Sequence, residues 1–267
     1  MRLALLALLL LFTSCRPSRP EQIILASTTS TEDSGLFGEL LPAFEAEEPG
    51  YKVMVIAVGS GEALEIGRRG DADVLLVHSP AAESVFVAQG NALERLPVMY
   101  NDFVIVGSDS DPAGIRGERD ATAAFRTIAE QTQPFVSRGD RSGTHSKELQ
   151  LWRAAGINPD TLHGKGWYYE IGQGMGETLG FASEKGAYTL SDRGTYLARA
   201  NGLRLGVLSE GDPRLRNLYH VITVRRARNP EGAEAFARWL TSDKGRAVIE
   251  TFGVERFDQP LFRPLPE

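Results

Sequence analysis

Short apolar runs that end in hydroxyl- or glycine-rich turns, each followed by a helical pattern, constrain this chain more than any other feature. Residues 22–26, 53–58 and 73–77 read as strands, the second nearly all apolar, as suits a sheet covered on both faces. Between the first two, residues 34–47 place Leu36, Leu40 and Phe44 on one helical face. Pro42 is expected to kink or divide that helix. A short helix runs to Arg69, and another starts at Pro80, where proline is tolerated. This alternation predicts a parallel sheet with ligand chemistry at the C-terminal strand ends. The turns at 27–31, 59–61 and 78–79 then share one edge.

Residues 99–106 form a longer apolar strand, and the polar run 108–114 reads as a crossing to a second unit. That unit continues the rhythm: helix 121–130, strand 135–137, helix 142–155, strand 167–171, helix 175–185, strand 187–190, helix 192–199. Residues 203–208 are expected as an edge strand, and 219–224 as a second crossing strand. Helices 233–240 and 245–252 then return to the first unit, with a proline-rich wrapping tail. The expected organisation is one lobe from 22–106 and 219–267, with 107–218 inserted as the other. At 267 residues the chain has the length for two ordinary domains.

The stretch Ser137-Arg138-Gly139-Asp140-Arg141-Ser142-Gly143-Thr144-His145 joins a strand to a helix. Its glycines permit turns in which successive N–H groups converge. Ser142 and Thr144 add hydroxyls, and Arg138 adds a planar cation that grips oxygens bidentately. With a helix N-terminus behind it, such a loop suits a small oxyanion. An ordinary capped turn uses the same residue types. A second hydroxyl-rich strand end, Ser27-Thr28-Thr29-Ser30-Thr31, lies in the other half of the chain, and two such ends suggest a cleft.

The net charge of −6 argues against nucleic acid and anionic membrane surfaces as partners. An anion site here must act through local donors and dipoles. Residues 1–15 have a basic start, an apolar run too short to span a bilayer and small residues before Cys15, the pattern of an export signal. Cys15 is the only cysteine, so no intrachain disulfide is possible. The ending Phe12-Thr13-Ser14-Cys15 resembles a bacterial lipoprotein lipobox, with Phe12 where leucine is usual. It implies lipidation at Cys15, with residues 16–21 as a tether and the membrane reached through the acyl anchor alone.

Other motifs fit less well. Gly172-Gln173-Gly174-Met175-Gly176 lacks dinucleotide spacing, because position 179 is leucine; a tight helix entry lining the cleft is expected. Ser60, between Gly59 and Gly61, is a candidate donor but not a nucleophile elbow. Ser142 and His145, with Asp140 or Glu148 as orienting acid, leave a serine hydrolase as the minor alternative. The four histidines show no metal-ligand spacing, so neither a metal nor a cofactor is expected. His78 stands out, since it ends a core strand on the ligand edge. Trp167-Tyr168-Tyr169 reads as packing.

Several long motifs occur in order along the mature chain: Ala26 to Thr31, Ala57-Val58-Gly59-Ser60-Gly61, Asp71 to His78, Met99 to Val104, Ser137 to Glu148, Gly172 to Gly176, and Gly186 to Tyr196. Together they resemble the substrate-binding proteins of tungstate-specific ABC transporters, with Ser27 where a third threonine is usual. The resemblance implies a type II periplasmic-binding-protein fold: two α/β lobes, each a mostly parallel sheet flanked by helices, joined by two crossover strands. It implies a monomer outside the cytoplasm that captures tungstate or molybdate and hands it to the permease subunits, with no reaction catalysed. By the same resemblance, Thr28, Thr29, Ser30 and Ser60 would supply first-lobe donors. Arg138, Ser142, Gly143 and Thr144 would supply second-lobe donors, with Thr195 as a further candidate. The Arg138 to Thr144 spacing is also similar to a loop of phosphate-binding proteins, which makes phosphate the competing guest.

A carboxylate at position 140 bears on that choice. Hydrogenphosphate carries a proton to donate, whereas tungstate only accepts, so a bare Asp140 would favour phosphate. Pairing of Asp140 with Arg138 or Arg141 is expected instead.

Overall fold

The computed structural model describes residues 19–140 and 142–265. The expected export segment with Cys15, the first half of the tether (residues 16–18) and Arg141 lie outside the described residues. The first unit comprises β1 (Glu21–Thr28), α1 (Thr29–Asp33), α2 (Phe37–Glu47), β2 (Tyr51–Val58), α3 (Ser60–Arg69), β3 (Val74–Val77) and α4 (Pro80–Ala88). β4 (Ala92–Gly107) leads onward to α5 (Ala121–Glu130), β5 (Phe135–Ser137), α6 (Gly143–Ala154), β6 (Tyr168–Glu170), α7 (Met175–Lys185), β7 (Tyr188–Asp192), α8 (Arg193–Arg199) and β8 (Gly206–Ser209). β9 (Arg216–Val224), α9 (Pro230–Thr241), α10 (Asp243–Thr251), α11 (Val254–Phe257) and β10 (Arg263–Pro264) complete the chain.

The strands form one hydrogen-bonded path in the order β2-β1-β3-β9-β4-β7-β5-β6. β1 pairs in parallel with β2 and β3, and β5 in parallel with β6 and β7. β9 and β4 run antiparallel at the centre. Apolar clusters cover both faces of each half. Phe44, Phe236 and Met99 belong to one core of the first half, and Phe103, Trp152 and Leu215 to one core of the second. β4 therefore passes from one core to the other between Met99 and Phe103. The returning chain does so between Leu215 and Tyr219. Both passages meet at one place, since Asp102 pairs with Arg216.

Three local differences from the sequence reading have physical causes. The break in the first helical stretch falls at Gly35, with φ of 84°, and α2 runs through Pro42 without division. The left-handed turn at Gly35 separates the helices, while Pro42 sits mid-way along α2 without dividing it. β4 begins at Ala92, seven positions earlier than the apolar pattern shows, because its first half carries exposed Glu94 and half-exposed Arg95. The edge strand expected over 203–208 is shorter, Gly206–Ser209, and pairs with β4. The last residues wrap as expected, β10 adding to β4 at Tyr100 and Met99. Buried Asp73 fastens the first half: its carboxylate accepts from the Ile24, Arg228 and Asn229 amides at 2.7–2.8 Å.

Candidate functional site

A cleft of about 510 Å³ opens where the C-terminal strand ends of both halves meet. Every residue singled out as a donor lines it: Thr28, Thr29, Ser30, Ser60, Arg138, Ser142, Gly143, Thr144 and Thr195. These come from positions as far apart as 28 and 195, brought together because parallel strands deliver their turns to one edge.

Helix starts account for the polarity of the cleft. The first residues of α3, α6 and α7 line it, along with those of the shorter α1 and α8. Unpaired N–H groups and about half a positive charge accompany the start of a long helix. Side-chain charge does not set the polarity, because Arg138, Arg199 and Arg256 are matched by Asp33, Glu177 and Asp192 in the lining. What the cleft presents to a guest is therefore mainly oriented amides and hydroxyls.

On one side, Thr28 caps α1, its Oγ1 accepting from the Thr31 amide at 3.3 Å. It is 3% exposed, while Thr29 and Ser30 are open to the cleft. On the other side, Ser142 caps α6, its Oγ accepting from the His145 amide at 3.2 Å. Asp192 caps α8 by accepting from the Thr195 amide at 2.8 Å.

The Arg138 guanidinium is held at 2.5 Å by Asp140, whose other oxygen accepts from the Ser142 amide at 3.1 Å. Burial alone would raise the Asp140 carboxyl. Hydrogen bonds from Ser142, with the charge and hydrogen bond of Arg138, hold it below the usual carboxylate range instead. Arg138 Nε is shielded from solvent and has no hydrogen-bond partner among the described residues. A buried guanidinium donor left unmatched is costly, and an oxygen of a bound anion would satisfy it.

Ser142 Oγ serves as the α6 cap, accepting from the His145 backbone N–H, so that bond does not run through the His145 ring. Glu148, the other acid considered for orienting His145, lies beneath the loop. It accepts from Trp152 Nε1 at 3.0 Å and the Tyr168 hydroxyl at 2.7 Å, and burial pushes it up to about 7. Trp167 and Tyr168 pack in the core behind it, as their composition suggested. Gly174, Met175 and Gly176 line the cleft as the expected helix entry.

The sequence reading missed Asn101, Asn217 and Tyr219 in the floor of the cleft. They surround His78, which it had noticed. The Nδ1 of His78 lies 3.0 Å from Asn217 Oδ1, and its ring stacks at 4.6 Å on Tyr219. No spacing in the sequence signals this cluster, since Asn217 is 139 positions from His78.

Two parallel-stranded halves on one continuous sheet, with a donor-lined cleft at their strand ends, have the build of a solute-binding protein. Residues 16–244 match the family model described as "PBP superfamily domain", and the chain belongs to this periplasmic-binding-protein superfamily, a family of transport substrate-binders rather than enzymes. It is 48% identical over 248 residues, covering 91% of this chain and 85% of the relative, to the tungstate-binding protein TupA of Peptoclostridium acidaminophilum. It is 39% identical to the TupA of Campylobacter jejuni, with 87% of each chain covered. The solved structure of the tungstate-binding protein TupA from Desulfovibrio alaskensis superposes with a TM-score of 0.84 at 41% identity, over 92% of this chain and all of that one.

Proposed function

We propose that this protein captures tungstate, with molybdate as its near-equivalent, and delivers it to the permease of an ABC transporter. The observation that carries the reading is the convergence of all nine donor candidates, from both halves, on one cleft. Relatives named as tungstate-binding proteins support the choice of guest. In this reading Thr29, Ser30 and Ser60 approach the ion from one lobe and Arg138, Ser142, Gly143 and Thr144 from the other. Thr195 adds a donor at the rim, and Thr28 braces the first loop. Residues 22–106 with 219–267, and residues 107–218, are the two bodies that close on it, hinged where Asp102 meets Arg216. Each lobe holds half the donors, so the full set forms only on closure. Charge-assisted bonds contribute about 1.5–3 kcal/mol each, and several together support nanomolar affinity, about −12 kcal/mol.

Asp140 favours a fully ionised guest. Its carboxylate already accepts from Arg138 and the Ser142 amide, which orients it toward those donors and weakens it as an acceptor for the proton of hydrogenphosphate. Export through residues 1–15, lipidation at Cys15 and a monomeric state complete the proposal, and an acyl anchor would keep the binder beside the permease. Isothermal titration of the purified protein with tungstate, molybdate, sulfate and phosphate tests it. Nanomolar binding of the first two, at one ion per chain, is expected. Tighter binding of phosphate than of tungstate would overturn it.

A further inference from the structure

His78 is absent from the donor set, yet it touches both halves of the cleft. Its Nε2 lies 3.2 Å from Thr28 Oγ1 and 3.3 Å from Ser30 Oγ. A Cβ placed on Gly143, at the start of α6, would come within 3.4 Å of His78 Cε1. The ring thus lies between the hydroxyl loop of one lobe and the arginine loop of the other.

The chain of partners behind the ring fixes its tautomer. Asn217 donates through Nδ2 to Asn101 Oδ1 at 2.9 Å, and the same nitrogen lies 3.4 Å from the Tyr219 hydroxyl. That leaves Asn217 Oδ1 facing His78 Nδ1, so Nδ1 carries the proton and Nε2 is a bare acceptor. Burial disfavours the charged ring and lowers its pKa below the ordinary histidine value.

A bare Nε2 takes one hydroxyl proton. Thr28 is buried, and its proton must be satisfied inside the protein. Ser30 is exposed to the cleft; its Oγ lies 3.1 Å from Thr28 Oγ1, and being solvent-facing its hydroxyl can turn its proton to a guest. Thr31, fully buried, lies 2.7 Å from Thr28 Oγ1 and completes the inward chain.

We propose that His78 is a positioning residue: held as the Nδ1–H tautomer by Asn217, it draws the Thr28 proton inward and leaves the Ser30 hydroxyl as the donor to the captured oxyanion. This deepens the anion-capture reading and rests on it. The cleft is then pre-set as a donor array for guests that only accept, before any ion arrives.

The test combines imidazole nitrogen NMR of the purified protein with tungstate titration of two variants. A His78→Phe variant assigns the resonance by its loss. The Nδ1–H tautomer is expected without ion and with tungstate; an Nε2–H or doubly protonated ring overturns the proposal. The Phe variant keeps the ring on Tyr219 but loses the acceptor, and its Kd for tungstate is expected to rise about tenfold. In His78→Gln the amide oxygen reaches the Nε2 position, and recovery to within about threefold of the native Kd is expected. Native affinity in the Phe variant, or equal loss in both variants with unchanged melting, overturns the proposal. If the Phe variant does not fold, the tautomer and the Gln variant decide. A native protein that gives no heat with tungstate overturns the capture reading instead, and the tautomer then decides this one.

Discussion

At the scale of single residues, the proposed site separates the group that would carry charge to the ion from the groups that would hold it in place. Arg138 brings a guanidinium whose Nε lacks a partner among the described residues, and Asp140 pairs with it. Arg138→Ala should weaken tungstate binding at least a hundredfold, the loss of about 3 kcal/mol expected for one charge-assisted pair. Asp140→Asn keeps a side chain able to accept from Arg138, so its Kd should rise less than about tenfold, with no gain of phosphate binding. Titration calorimetry of both variants separates these outcomes, and tight phosphate binding by the asparagine variant would show that Asp140 faces the guest. Hydroxyls and the arginine at strand ends were legible in the sequence because chemistry and position coincide there. The Asn217 and Asn101 partners of His78 were not, because asparagines on long strands carry no local pattern.

At the scale of elements, the rhythm of strands and helices was readable wherever apolar residues repeat, and failed where exposure or backbone freedom replaced it. The half-exposed start of β4 and the turn at Gly35 are the two cases. Helix α6 shows what an element adds to a site. Its N-terminus lines the cleft, capped by Ser142, while Glu148, one turn further along, anchors its base to Tyr168 and Trp152.

Burial raises Glu148 from an ordinary 4.5 to about 7. A raised carboxyl pKa means the folded state holds the proton more tightly than the unfolded chain. Its contribution is therefore fully present below pH 4.5 and lost as pH rises toward about 7. The loss amounts to about 3 kcal/mol across that window. Denaturant unfolding at several pH values should show this decline in the native protein and not in Glu148→Gln. Parallel pH profiles would contradict the assignment.

At the scale of the whole molecule, a chain of net charge −6 presents the proposed anion cleft without a surplus of basic side chains. Convergent helix starts do what surface charge does not, and their effect is local. The two cores adjoin where Asp102 pairs with Arg216, and in the proposed reading this is the pivot, with the donors divided between the halves. The pairing pattern that links the sheets through β4 and β9 was only partly visible in the sequence, since crossing strands resemble any other strand until their partners are known.

The central claim is that both halves grip one dianion at once. Anomalous scattering at a tungsten absorption edge, from crystals grown with tungstate, tests it most directly. A single peak is predicted, within hydrogen-bonding reach of Ser30 or Ser60 on one side and of Arg138 and Thr144 on the other. A peak held by one half alone, or lying outside the cleft, would contradict the account.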